Sequence, residues 1–392
     1  MADYIPFVNS GNDVVRLRTY YDEPVVVRVA LANLPALRKR NIERYPLWVD
    51  AEMDGYHHLL EGGEVWPDWR QYVSQFDKSN MLGDVSFIRR PDSTRVADFV
   101  SAVMEKCRES ASAWITIPQL PMIGDSTRNK INVMLNEATA SWRSKHNFGG
   151  KLVLPMVFTH QEQLRGRTKW TPKLKIVQKC YDIVKPDVVW IVDSDLSDWK
   201  GSARFTNRFQ SLVDFHTDVR DRFPEVKIVV GPYWGMNLVL WTRKLCDHPA
   251  VTLGYGFKYR ISGGYRGMEP TATIALPPLR RLARHTDELG SWLDTVMEGL
   301  DQSDDAYREF RRIRDNFEQL KDYEVARNQV AKFYGEWIRR LCAISPDGRS
   351  LALFQELASA YVLGKKMEKL PKEESPGRDA GKVAEQLMLH CL

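Results

Sequence analysis

Short β-branched and aliphatic runs alternate along this chain with longer segments whose apolar residues recur at helical spacing. Eight such runs stand out, at residues 24–31, 47–52, 85–90, 113–119, 151–158, 187–193, 226–233 and 251–259. Between them the spacing predicts crossover helices. One covers 93–110, with Val96, Phe99, Val100, Val103 and Met104 on one face; another covers 125–145, with Ile131, Met134, Leu135 and Trp142 inward and Asp125 and Ser126 as caps. Segments 173–184 and 204–223 follow the same rule.

Parallel strands need helical crossovers of about a dozen residues or more, and eight strand–helix units in this span match the usual size of a (β/α)8 TIM-type barrel. The run at 85–90 is the least strand-like of the eight; without it an open doubly wound sheet becomes the alternative. Beyond residue 259 the strand signal stops. Residues 261–278 read as a Gly- and Pro-rich linker, followed by helices at 279–284, 289–300, 304–341 and 351–363. The expected organisation is therefore an α/β barrel catalytic domain over residues 1–265, a helical C-terminal appendage over 266–363, and a flexible tail over 364–392 rich in Lys, Glu, Pro and Gly.

Composition narrows the class. With 392 residues, 43% hydrophobic and 27% charged, the chain is too apolar for a disordered protein. No apolar stretch approaches the roughly 20 residues of a spanning helix, and Met1-Ala2-Asp3-Tyr4 lacks the basic start of a secretory signal, so a cytoplasmic protein without a membrane partner is expected. Cys107, Cys180, Cys246, Cys342 and Cys391 have no metal-binding or disulfide spacing and read as free thiols. A formal charge of +5 permits a nucleic-acid partner without requiring one.

In a barrel of this kind the site forms at the C-terminal strand ends, which supplies a candidate list. Carboxylates that follow buried apolar runs are costly unless paired, making Asp50, after Trp48-Val49, and Asp193, after Trp190-Ile191-Val192, the leading catalytic candidates. Each has a plain alternative, a loop cap or an ion pair with a barrel Arg or Lys. Substrate-binding candidates are Glu52, Asp54, Gln119, His160, Asp195, Gly231, Tyr233, Trp234, Gly254, Tyr255 and Lys258. The aromatic members suit a planar base or a sugar face, though packing of helices on the barrel is the commoner use of such residues.

His57 and His58 are metal ligands only if other strands add partners, and no metal or cofactor is expected. Asp193 and Asp195 at alternate positions also suit magnesium, yet no Gly-rich phosphate loop with Lys and Ser or Thr is present. In the appendage, Arg280, Arg281, Arg284, Arg311 and Arg312 form a candidate phosphate-binding surface, diluted by acidic neighbours such as Glu309 and Asp315.

These strand endings resemble those of the guanine transglycosylase superfamily, barrel enzymes that exchange guanine for a 7-deazaguanine in tRNA and, in paralogous members, in DNA. The resemblance rests on Trp48-Val49-Asp50-Ala51, on Gln119 at a strand end, and on the rhythm of 152–158, 227–231, 237–245 and 250–253. It covers residues 28–260, about 60% of the chain, through spacing and strand order. Two departures stand out: the last strand reads Gly254-Tyr255-Gly256-Phe257-Lys258 where the family carries a nucleophilic aspartate, and the family's cysteine- and histidine-bound zinc is absent.

The resemblance implies a pentosyltransferase that cleaves an N-glycosidic bond, with DNA or tRNA and a free modified base as partners and a homodimer left open. Asp50 then matches the general acid or base, Asp193 is the substitute nucleophile, and Lys258 is an alternative amine or phosphate contact. Gln119 and the backbone amides of Gly231 and Gly254 read the base. A hydrolase or lyase for a small carbohydrate or metabolite, and a non-catalytic nucleic-acid-binding barrel, are the competing expectations.

Overall fold

The computed structural model describes residues 3–110, 112–121, 126–159, 161–196, 206–254, 257, 259, 261, 271–368 and 380–392. Eight parallel strands, β1 (Ile5–Val8), β2 (Val27–Ala30), β3 (Leu47–Asp50), β4 (Trp114–Thr116), β5 (Lys151–Phe158), β6 (Val188–Asp193), β7 (Lys227–Val230) and β8 (His248–Thr252), close in sequence order. Strand β8 completes the ring on β1 through Ile5↔Ala250 and Phe7↔Thr252. The (β/α)8 barrel is thus the fold, with the helices Ser93–Glu109, Ser126–His146, Arg167–Val184, Thr206–Arg222 and Met236–Thr242 among its crossovers.

One strand differs from expectation. The ring is completed by β1, whereas the run at 85–90 forms a short helix, Val85–Arg89. Asp84 caps that helix by accepting from the Ser86 amide at 2.8 Å, and only Phe87 and Ile88 turn inward while Val85 is exposed. A six-residue apolar run does not by itself separate strand from helix; the cap decides it. Strand β1 escaped notice because it is four residues long and carries Pro6, although Ser10 and Asp13 behind it form a capping box that marks the next helix. The last strand, expected over 251–259, runs from His248 to Thr252.

Alternation of side chains along the strands fills the barrel. Phe7, Trp48 and Trp190 meet inside it, with ring centroids 5.6 Å (Phe7–Trp48), 5.6 Å (Phe7–Trp190) and 5.4 Å (Trp48–Trp190) apart. Trp48 Nε1 donates to Thr116 Oγ1 at 2.7 Å, so the indole's polar edge is satisfied without water. Above this aromatic layer sits Arg28, its guanidinium 5.0 Å from the Phe7 ring.

The C-terminal third is less purely helical than expected. Residues 279–284, expected as helix, instead belong to an antiparallel hairpin of β9 (Thr273–Leu276) and β10 (Arg281–Arg284), because Pro277-Pro278-Leu279 makes one tight turn and Arg280 takes the left-handed conformation at φ 51°. The expected helix 304–341 is two, Asp305–Asp315 and Tyr323–Cys342, the second capped by Asp322. Helix Arg349–Met367 runs past residue 364, and Lys382–Met388 is helical with Val383, Ala384 and Leu387 buried. The expected tail is therefore packed at both of its described ends; residues 369–379 lie outside the described residues. Gly364 makes this possible, since a Cβ there would fall 2.2 Å from Gly381 Cα.

Val383, Ala384 and Leu387 share one continuous hydrophobic cluster with the barrel strands and with the face of the Tyr323–Cys342 helix that carries Val330, Tyr334 and Trp337. The C-terminal helix is thus part of the barrel's support. Leu387→Ala is expected to destabilise the whole chain by about 2–5 kcal/mol, measured by reversible chemical unfolding; a change below about 0.5 kcal/mol contradicts this role.

Candidate functional site

Strand β3 delivers the centre of the site. Trp48 and Asp50 are two residues apart and share the inward face, so the carboxylate stands directly above the aromatic layer. After Asp50 the chain reverses sharply: Glu52 adopts φ 56° and ψ 43°, and the turn Met53–Gly55 brings Asp54 back over the barrel mouth. Glu52 N donates to Asp50 Oδ1 at 2.9 Å, fixing both the turn and the carboxylate.

Arg28 on β2 meets Asp50 Oδ2 through Nε at 3.2 Å and Nη2 at 2.6 Å, and Nη2 also reaches Glu52 Oε1 at 3.0 Å. Arg28 and Asp50 are both about 2% exposed, so each is the other's main compensation for lost hydration. Asp54 stands under a different balance. Burial pushes its carboxyl up to about 7, the negative charge of Asp50 adds to this, and the hydrogen bond donated by Tyr259 at 2.6 Å pulls the other way.

Asp50, Asp54, Thr116, Gln119, Trp190 and Tyr259 line one narrow cleft with free space of about 10 Å³, enough for roughly one water molecule. Tyr259 stands edge-on to Trp190, centroids 4.9 Å apart. Gln119 is clamped: Nε2 donates to the Pro155 carbonyl at 3.0 Å and Oε1 accepts from Asn136 at 3.2 Å. The arrangement combines an ion-paired carboxylate, a carboxyl that holds its proton near neutrality, a fixed amide and an aromatic corner.

Asp193 is not part of that cleft. It lies three residues after the inward Trp190, not two, and strand alternation therefore turns it outward, where Arg208 of the Thr206–Arg222 helix grips both oxygens, Nε to Oδ2 at 2.9 Å and Nη2 to each at 2.5 Å. The amides of Asp195 and Leu196 donate to Oδ1 at 3.1 and 3.3 Å. The expected pairing of Asp50 with Asp193 in one pocket thus gives way to Asp50 with Asp54. Asp195 sits outside with Asp193, 3.7 Å from Arg208.

Several other expected contacts are committed to structure. The Gly231 amide donates to the Ile191 carbonyl at 3.0 Å as part of the barrel, and its own carbonyl accepts from Trp190 Nε1 at 2.9 Å. The Tyr233 hydroxyl accepts from the Asp193 amide at 2.6 Å, and Trp234 is fully buried among Phe257, Tyr334 and Trp337 with Nε1 on the Arg280 carbonyl. Neither aromatic reaches the cleft. Gly254 packs on Arg327. His160, Tyr255 and Lys258 lie outside the described residues. Arg28, Thr116 and Trp190 were missed as site residues; an arginine inside the apolar run Val25–Ala30 was the available signal.

The appendage arginines are largely spoken for. Arg280 is drawn inward over Phe333 and Trp337 and pairs with Glu356 at 2.9 Å, and Arg281 is buried. Arg311 pairs with Asp315 at 2.8 Å and Arg312 with Glu309 at 2.7 Å, while Arg284 is exposed. Such solvated helix pairs leave little net positive field. Among the described residues no group of three or more His, Cys, Asp or Glu is placed to hold a metal; His57 faces Arg128 at 3.3 Å and His58 the Ile261 carbonyl at 3.3 Å.

No family model matches the chain, and no curated protein matches it either.

Two measurements separate the acids. An unfolded aspartate ionises near its ordinary 3.8, whereas native Asp54 holds its proton to about 7, so the native state binds the extra proton between these values and loses stability as pH rises through them. Asp54→Asn removes that slope, and its stability relative to the native sequence is expected to gain about 2–3 kcal/mol between pH 5 and pH 8; a pH-independent difference contradicts the assignment. Asp193→Asn removes the carboxylate that Arg208 grips through both oxygens and is expected to cost about 3 kcal/mol by denaturant titration, in contrast to a purely catalytic residue.

Proposed function

We propose that the chain is a nucleic-acid base-modifying glycosyltransferase that exchanges guanine for a 7-deazaguanine base in DNA or tRNA by cleaving the N-glycosidic bond at the barrel mouth. One observation carries the chemistry: two carboxyl groups in one cleft, Asp50 engaged by Arg28 and Asp54 keeping its proton to about 7. Environment-driven division of labour between two acids is the recurring solution for glycosidic bonds. The identity of the base comes from the superfamily resemblance of Trp48–Asp50 and the strand rhythm.

In this reading Asp54 gives its proton to a ring nitrogen of the departing base as the C–N bond breaks and the bonding electrons leave with the base. The negative charge of Asp50 faces the positive charge that develops on the sugar. The incoming base then attacks the same carbon through its own ring nitrogen and returns a proton to the Asp54 carboxylate, which restores the starting state. Gln119, held by Pro155 and Asn136, presents a fixed edge to the base, and Trp190 and Tyr259 supply the apolar wall. A target base inside a duplex has to be flipped out first.

A second reading is a hydrolase or lyase for a small carbohydrate or metabolite: the free space of the cleft, about that of one water molecule, has to widen for any substrate, and less for a small one than for a purine. Mass spectrometry of nucleosides from cells carrying the intact gene, no gene, or Asp54→Asn separates the two. A 7-deazaguanine nucleoside is expected with the intact gene alone, reduced about 100-fold or more by Asp54→Asn. An unchanged nucleoside profile in all three overturns base exchange and leaves the small-molecule reading.

A further inference from the structure

We propose that Tyr259 is a positioning residue that selects which oxygen of Asp54 carries the transferable proton. The inference rests on the reading of Asp54 as the acid of the reaction, but concerns a property that is measurable without any substrate. Tyr259 lies seven residues beyond the end of β8 and returns over the mouth, where its hydroxyl donates to Asp54 Oδ2 at 2.6 Å while its ring is held edge-on against Trp190.

A carboxyl group has one hydroxyl oxygen and one carbonyl oxygen. With the phenol donating to Oδ2, that oxygen acts as the carbonyl and the acidic proton resides on Oδ1. Tyr259 cannot lose its own proton in the working range, because burial and the nearby negative charges push the phenol well above its ordinary 10. It therefore remains a donor through the catalytic cycle. When Asp54 gives up its proton the same hydrogen bond becomes charge-assisted and strengthens, so Tyr259 eases proton release without taking part in it.

The groups that bear most on Asp54 include both charged neighbours and a phenol. Asp50 and Glu52 belong to its own strand and turn, Arg28 comes from β2, and Tyr259 from beyond β8. Tyr72, on the helix Pro67–Val73, approaches Asp50 and Glu52, with its hydroxyl 3.4 Å from the Ala51 carbonyl. Of these, Tyr259 donates directly to the Asp54 carboxyl.

Tyr259→Phe keeps the ring against Trp190 and removes the donor. Carbon-13 NMR titration of the Asp54 carboxyl in the full chain is expected to show its midpoint moved upward by about one to two pH units. Replacement of tyrosine by 3-fluorotyrosine, a stronger donor, is expected to move it downward, and serves as the readout if the phenylalanine variant does not fold. A midpoint unchanged in the phenylalanine variant, or unchanged with fluorotyrosine, overturns the proposal. Base exchange is read separately as the nucleoside profile: a moved midpoint in cells that make no modified nucleoside upholds the role of Tyr259 and removes the glycosyltransferase reading.

Discussion

The site depends on one buried cation. Arg28 stands inside the barrel over the Phe7 ring, about 2% exposed, and a guanidinium in that position cannot shed its charge. It has to be met by carboxylate, and Asp50 with Glu52 meets it. Asp54 is buried, which disfavours its charged form, and the anion at Asp50 four residues back along the chain adds to this, so Asp54 keeps its proton to about 7. The division between an anionic and a neutral acid therefore follows from the arginine that fixes Asp50 and from the burial of Asp54, with the left-handed turn at Glu52 bringing the second acid within range of the first.

That dependence also explains what was legible in the sequence. The barrel itself was readable because apolar runs with helical crossovers leave few alternatives, and seven of the eight strands lie in or overlap the runs that predicted them. Asp50 was readable for the same reason: an acid at the end of a buried strand needs a partner. Arg28 was equally visible as a charge within an apolar run, but a single cation in a strand has no partner until the register Arg28↔Trp48 and Ala30↔Asp50 brings β2 beside β3.

Asp193 shows where sequence reading by strand ends runs short. Trp48-Val49-Asp50 and Trp190-Ile191-Val192-Asp193 look alike as apolar runs ending in aspartate, but the interval from tryptophan to acid is two residues in one and three in the other. In a period of two that single residue reverses the side: one acid enters the barrel, the other meets a helix. The appendage was hardest to read because its arginines are balanced by carboxylates three and four residues away and by Glu356 from another helix, pairings that only the packing of the helices assigns. Arg280 in particular is an interior residue, held over Phe333 and Trp337, where the sequence presents it as one of a basic cluster.

The same packing ties the C-terminal third to the mouth. Phe257 rests on Tyr334 at 4.0 Å and on Trp234 at 5.1 Å, and two residues later Tyr259 reaches Asp54. Phe257 is therefore anchored by the aromatic layer that supports the helix Tyr323–Cys342, and Tyr259 by the acid in the cleft. A change in how the helix seats against Trp234 and Phe257 has a short covalent route to the hydroxyl that holds Asp54, so the stability of the appendage and the geometry of the acid are properties of one continuous structure.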